Sequence, residues 1–249
     1  MHTAAIRLNH WFGGATNRLV SFGGTMAVFS FLPGQEKALA FTHTMVLEIA
    51  RTLFVLFFAV ILHECAHGWV AYKCGDSTAK DAGRLTLNPL KHIDPLGTFI
   101  VPFVLRSLGV MPLGWAKPVP VNFANLRNPR RDMILVSLAG PLANLLLALA
   151  FRELAILTAN LVLQEIWVTA VVLNILVAVF NLLPVPPLDG SRVLAGLLPV
   201  PLAHRFARLE PFGIVILIVL LNVGLLNWLD GVVSLLVRVL GMGQLMGKY

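Results

Sequence analysis

Apolar and polar positions in this chain alternate at the scale of whole segments rather than single residues. Four apolar stretches, about 45–72, 133–151, 166–183 and 212–229, are separated by polar connections. Each is close to the roughly 20 residues a helix needs to cross a hydrocarbon core, so each predicts a membrane-spanning helix. Thr52 to Leu62 carries no charge at all and is followed directly by polar residues. Three shorter stretches are different. Leu19 to Pro33 is broken by Ser21, Gly23, Gly24 and Ser30, which fits an interfacial helix or a short span. Phe99 to Leu113 contains Pro102 and Arg106 between Gly97 and Gly114, and a re-entrant hairpin suits it better than a crossing. Val232 to Leu240 is too short to cross alone and is expected to lie at the surface or pack on the core. The pattern predicts an all-α polytopic membrane protein with about four to six transmembrane helices and a small re-entrant region. It divides into an N-terminal segment 1–44, a membrane-embedded domain 45–229 and a tail 230–249.

Composition strengthens that reading. Hydrophobic residues make up 57% of the chain and charged residues 12%, against about 25% charged in a soluble domain. Lipid is therefore the solvent for much of the molecule, and 249 residues suit one polytopic domain. The net charge of +7 would fit nucleic acid, but the basic residues cluster in loops beside apolar segments, where membrane orientation explains them. Nine of them, Lys73 to Arg131, fall between the first and second spans, whereas Arg152 alone follows the second. That asymmetry predicts a cytoplasmic position for the long basic loop. Cys65 and Cys74 are the only cysteines, and Cys65 sits in an apolar helical stretch, so a disulfide framework is not expected. No cleavable signal is evident at the N-terminus.

The chemistry gathers at His63-Glu64-Cys65-Ala66-His67. On a helix, residues four apart share a face, so both imidazoles can bind one metal while Glu64 reaches a water on it. This is the H-E-x-x-H zinc signature. The plainer reading is polar glue between helices, but ionisable groups at membrane depth are costly and usually functional. A catalytic zinc takes a third protein ligand and keeps an open position. Asp189 is the candidate, at the end of Asn181-Leu182-Leu183-Pro184-Val185-Pro186-Pro187-Leu188-Asp189-Gly190, whose prolines prevent a continuous helix. Taken alone, Asp189 could equally cap a short helix through about Leu198. Topology favours the metal. If Phe99 to Leu113 does not cross, the second span leaves the side where the first ends, the third returns to it, and Asp189 lands beside His63 and His67.

Three motifs together, H-E-x-x-H at His63 to His67, A-G-P-x-x-N at Ala139 to Asn144 and N-x-x-P-x-P-x-L-D-G at Asn181 to Gly190, resemble the site-2 protease family of membrane-embedded zinc metalloproteases. The likeness spans about Met45 to Gly196 and is to a compact bacterial type without PDZ or CBS domains. It implies an intramembrane zinc endopeptidase of the inner membrane, with its active site toward the cytoplasm. One Zn2+ would be held by His63, His67 and Asp189, with Glu64 as catalytic base and Asn181 binding or polarising substrate. It further implies that the segments holding Arg84 to Asn88 and Trp115 to Asn122 form a membrane-associated β region. A transmembrane protein substrate and the bilayer are the partners implied, and no nucleic acid is.

A substrate helix must unwind before its carbonyl can be attacked, and a strand edge could replace the lost backbone hydrogen bonds. Lys117 to Asn122 is extended by its prolines but lacks their donors. Arg84, Leu85, Thr86, Leu87 and Asn88 keep all theirs and are the better candidates, though an ordinary surface hairpin fits equally. Asn144 and Asn174, within apolar helices, read as interhelical hydrogen-bonding groups. Gly140-Pro141 reads as a close helix contact or kink. His92 and His204 lie in polar loops and are expected to be solvated. Asn181 is expected to face the cavity. A metal transporter would spread its ligands along a path, and an inactive relative would lose Glu64 or a ligand; this chain keeps all four residues at one depth.

Overall fold

The computed structural model describes residues 34–109 and 114–243. The apolar stretch Leu19 to Pro33 lies outside the described residues. Among the described residues, three helices are long and apolar enough to span: α1 (Gly34–Lys73), whose apolar part is Val46–Lys73, then α4 (Pro129–Leu157) and α5 (Leu161–Asn181). Between α1 and α4 come α2 (Thr78–Asp81) and α3 (Val101–Ser107). After α5 come α6 (Asp189–Leu197), α7 (Val200–Ala207), α8 (Gly213–Asn222) and α9 (Trp228–Val239). Helix α1 already begins at Gly34, so residues 34–44 continue the first span's helix rather than forming a separate element.

Helix α4 runs antiparallel to α1. The N–H of Arg127 donates to the carbonyl of Cys74 at 3.0 Å, which ties the end of the basic loop to its own beginning. Further along, Gly140 faces His63 and His67, and Asn144 reaches Ala59. Helix α5 turns back along α4, with Phe151 stacked on Trp167 at a centroid distance of 5.7 Å. An ion pair of 2.7 Å between Arg51 and Glu165 joins α1 to α5 at the end remote from Lys73. The apolar core lies mainly where α4 and α5 meet α9, around Ala148, Val171, Ile175, Val233 and Val237. Many large apolar side chains elsewhere remain exposed, Phe54, Leu146 and Leu157 among them. In water such a surface would aggregate; in a bilayer it is the solvated face.

The loop from Cys74 to Asn128 leaves and returns at one end of the bundle, where Arg127 N meets Cys74 O. There a π-helical turn, Leu96–Ile100, leads into α3. These 12 residues make an apolar helix of about 18 Å at 1.5 Å per residue, well short of a core about 30 Å thick. Gly97 lies under the Trp115 ring, where no Cβ would fit. Of the stretch expected to form a re-entrant hairpin, residues 110–113 lie outside the described residues.

Two expectations need correction. Phe212 to Leu229 is not one spanning helix: α8 ends at Asn222, Gly224 takes φ +74°, and the chain restarts as α9 at Trp228. A left-handed residue ends an α-helix, and glycine adopts it without steric cost. The tail then packs inward, with Val233, Val237 and Met242 buried against α4 and α5. The β region is also absent among the described residues, where no strand occurs. Arg84 to Asn88 and Lys117 to Asn122 lie near one another, but a side chain joins them: Arg84 Nη2 donates to Lys117 O at 2.8 Å and Pro118 O at 3.3 Å. Pro118 and Pro120 remove the N–H groups a ladder would need.

Candidate metal centre

His63 and His67 lie one turn apart on the buried face of α1, with Asp189 opposite at the first position of α6. Asp189 Oδ2 is 3.0 Å from His63 Nε2 and 3.2 Å from His67 Nε2, and the two Nε2 atoms are 3.0 Å apart. Asp189 is the first helical residue of α6, with Leu188 at the N-cap position, and the hydrogen-bond contacts of its Oδ2 are with the two imidazoles. The prolines after Asn181 bend the chain back, and Gly190 makes the bend tight enough. A Cβ there would lie 2.5 Å from the Leu183 carbonyl oxygen and closer still to that of Leu182.

The hydrogen bonds behind the imidazoles decide which atoms carry protons. Asn174 Nδ2 donates to Ala170 O at 2.8 Å, so Asn174 Oδ1 is free to accept from Asn144 Nδ2, also at 2.8 Å. Asn144 Nδ2 also approaches Ala59 O at 3.2 Å. Its Oδ1 therefore faces His63 Nδ1, 2.6 Å away, and must accept that proton. His67 Nδ1 donates likewise to Val136 O at 2.7 Å. With both imidazoles neutral, their Nε2 atoms therefore present bare lone pairs to a carboxylate oxygen. Three converging lone pairs repel unless a cation lies among them, and imidazole paired at its far nitrogen is the usual arrangement of a metal ligand. For tetrahedral zinc with bonds of 2.0–2.1 Å, adjacent donors lie about 3.3–3.4 Å apart. The observed spacings fall within about 0.4 Å of that, so the donor set fits zinc.

Helix α4 supplies the wall. A Cβ at Gly140 would sit 2.5 Å from His63 Nε2 and closer still to His67 Nε2. Gly140-Pro141 therefore marks a close helix contact, as expected, and the contact is with the centre itself. Arg130 at the start of α4 holds α6 in register: its Nε donates to Gly196 O at 2.6 Å, and its Nη2 to Leu198 O at 2.5 Å and Leu197 O at 3.2 Å. These carbonyls belong to the last turn of α6, which has no intrahelical partners of its own.

Glu64 follows His63 on α1, and its Oε2 accepts from Val119 N at 2.8 Å. Asn181 is half-buried, and its Nδ2 donates to Val177 O one turn back at 3.0 Å. No bond joins it to the His and Asp cluster among the described residues. Leu85, Thr86 and Leu87 line a groove of about 550 Å³ between α1 and α4, with Leu62, Ala66 and Ala143. The Thr86 carbonyl already accepts from His92 Nε2 at 2.8 Å and from Cys65 Sγ at 3.2 Å. His92 is fully buried, against the expectation that it is solvated; its ring fastens the loop from within. His204 is exposed as expected.

Comparison with known proteins agrees with the site. The family model "Peptidase family M50" matches residues 153–222, which include Asp189. The Bacillus subtilis protein named "Putative zinc metalloprotease YwhC" is 41% identical over 169 residues, 64% of this chain and 74% of that protein. The Mycobacterium tuberculosis protein named "Putative zinc metalloprotease Rip2" is 33% identical over 231 residues, 91% of this chain and 85% of that one. No solved structure matches. The chain belongs to peptidase family M50, the site-2 protease family. It is an integral membrane zinc metalloendopeptidase.

Proposed function

We propose that this protein hydrolyses peptide bonds in or near transmembrane segments of other membrane proteins, using zinc held by His63, His67 and Asp189 and Glu64 as general base. The observation that carries the reading is the meeting of three candidate ligand atoms within 3.2 Å of one another at a buried point, beside a helix long and apolar enough to span a membrane. Zinc bound there supplies a Lewis acid for the scissile carbonyl and brings the pKa of the attacking water toward about 7. Glu64 accepts that water's proton and returns it to the leaving amine. Asn144 and Val136 keep both imidazoles in the ligating tautomer.

Asn181 lies eight residues before Asp189 on the same return of the chain, and we assign it to the substrate carbonyl. Its Oδ1 and second N–H remain available, since the bond to Val177 uses one N–H. Arg84 to Asn88 is the proposed contact for unwound substrate. The N–H groups of Leu85, Thr86 and Leu87 have no partner among the described residues, and they border the apolar groove, so extended backbone could pair with them. The structure narrows this role. Arg84 is committed to Lys117 and Pro118, and the Thr86 carbonyl is taken. The active end is assigned to the cytoplasmic face of a bacterial inner membrane from the nine basic residues of the loop it carries.

Comparative membrane proteomics of wild type and a Glu64→Gln strain tests this reading. Uncut transmembrane fragments should accumulate in the variant. Identical membrane proteomes, with the variant folded and zinc-loaded, would remove Glu64 from the reaction.

A further inference from the structure

Residues 117–122 read Lys-Pro-Val-Pro-Val-Asn. Pro118 and Pro120 carry no N–H, so Val119 offers the one backbone donor between them. That donor goes to Glu64 Oε2 at 2.8 Å. Glu64 Oε1 has no protein partner among the described residues, and the carboxylate is thus held by one oxygen and open at the other.

The strap bearing this donor is fastened along its length. Lys117 N donates to His92 O at 2.8 Å. The buried Arg84 guanidinium bridges the Lys117 and Pro118 carbonyls. Asn122 N donates to Asp76 Oδ2 at 2.8 Å, and Asp76 is itself buried and bound by Thr78 and Asn125. The Val119 side chain is buried against Gly68, one turn beyond Glu64, where a Cβ would approach Val119 Cγ1 to 2.8 Å and Leu85 Cδ2 to 2.6 Å. Glycine at 68 lets the strap lie directly on α1.

We propose that the strap Lys117–Asn122 positions the general base: the Val119 N–H fixes one Glu64 oxygen and so aims the other at the reacting water, with Arg84 locking the strap. This rests on reading Glu64 as the base. Val119 is a positioning residue, since it touches neither substrate nor metal. The alternation of proline, donor and proline suits that task. It makes the segment stiff and extended, and it leaves no second N–H to compete for the carboxylate. The same prolines that forbid a β-ladder here are what make the single donor specific.

Two measurements on the purified full-length protein test the proposal. In the first, Val119→Pro deletes the N–H, while Val119→Ala keeps it and loses the side-chain packing. The proline variant should lose about 10- to 100-fold in kcat, in line with the cost of about 1 Å misplacement at a reacting centre, with KM and zinc content held. The alanine variant should recover kcat to within about threefold of wild type while melting at a lower temperature. Wild-type kcat in Val119→Pro, or an equal loss in Val119→Ala, overturns the assignment. The second measurement needs no turnover and applies even if the proline variant fails to fold. Residue 119 has the only amide in 118–120, so hydrogen exchange there reports one bond. Glu64→Ala and Arg84→Ala should each speed that exchange at least tenfold; unchanged exchange in Glu64→Ala means the strap does not hold the base. Activity surviving in Glu64→Gln alongside lost protection in Glu64→Ala would instead reject Glu64 as base and leave the contact standing.

Discussion

Gly140→Ala is the smallest change that strikes the metal centre without altering charge, ligand or hydrogen-bonding group. The added carbon would sit 2.5 Å from His63 Nε2 and closer still to His67 Nε2. Ordinary contact needs about 3.5 Å, so helix or imidazoles must yield by about 1 Å. Metal sites tolerate ligand displacements of only about 0.2 Å. The imidazoles are poorly placed to move, because Asn144 and Val136 hold them from behind at 2.6 and 2.7 Å. Zinc affinity should therefore fall at least about 100-fold, or about 2.8 kcal/mol at 1.4 kcal/mol per decade. Metal-free stability should change by only about 1–3 kcal/mol, the range for overpacking. The assay is zinc competition with a calibrated chelator on detergent-purified protein, alongside thermal melts with and without metal. Ala148→Gly, in the same helix but among the core packing of α5 and α9, controls for a general loss of helix stability and should keep wild-type zinc affinity. Full zinc affinity in Gly140→Ala would refute the placement of α4 against the donor atoms, and the three-ligand geometry with it.

Other outcomes follow from the same geometry. Asn144→Leu should weaken zinc binding by about 10- to 100-fold, the usual effect of removing a hydrogen bond behind a ligating histidine, as read in the same chelator competition. Arg130→Ala removes three charge-assisted bonds to the end of α6 and should expose that helix to limited proteolysis near Leu198, with Arg130→Lys intermediate. Burial alone would raise the Asp76 carboxyl, but hydrogen bonds from Thr78, Asn125 and Asn122 outweigh it and hold it below the ordinary carboxylate value. Its contribution to stability is thus complete above the unfolded pKa of about 3.9 and is lost as pH falls through the lower folded value. Asp76→Asn should lower the melting temperature at pH 6 and flatten its decline on acidification, which thermal melts from pH 6 to 3 would check.

The helix carrying His63, Glu64 and His67 could be read before any fold was known, because four-residue spacing on an apolar span leaves few other uses for these side chains. Asp189 was legible for a topological reason. The loop from Cys74 to Asn128 closes on itself through Arg127, and with that closure the third span returns Asp189 to the side of His63 and His67. Asn144 was read as a polar group between helices, which it is, yet its partner turned out to be His63, in the cluster that could hold the metal. Periodicity reports the face a residue occupies and is silent on which residue of a distant helix meets it. The same gap hid Val119, whose backbone donor has no side-chain signature; the spacing of Pro118 and Pro120 was the signal, and it was read only as a missing ladder. His92 looked solvated because its neighbours are polar, but one carbonyl on Thr86 was enough to bury it. The fourth span failed at Gly224, where apolar composition continued across a turn that hydropathy does not register.

The central claim is hydrolysis within a membrane segment by a water that Glu64 activates. Its most direct test is mass spectrometry of products formed from a purified single-span substrate in liposomes containing the enzyme and 18O-labelled water. The account predicts a cut inside or at the edge of the apolar segment, with one 18O in the new carboxyl terminus. Cleavage should stop on chelation and return with zinc, while Glu64→Gln, folded and metal-loaded, should be slower by at least about 10²-fold. Cleavage confined to soluble loops, or undiminished in Glu64→Gln, would contradict it.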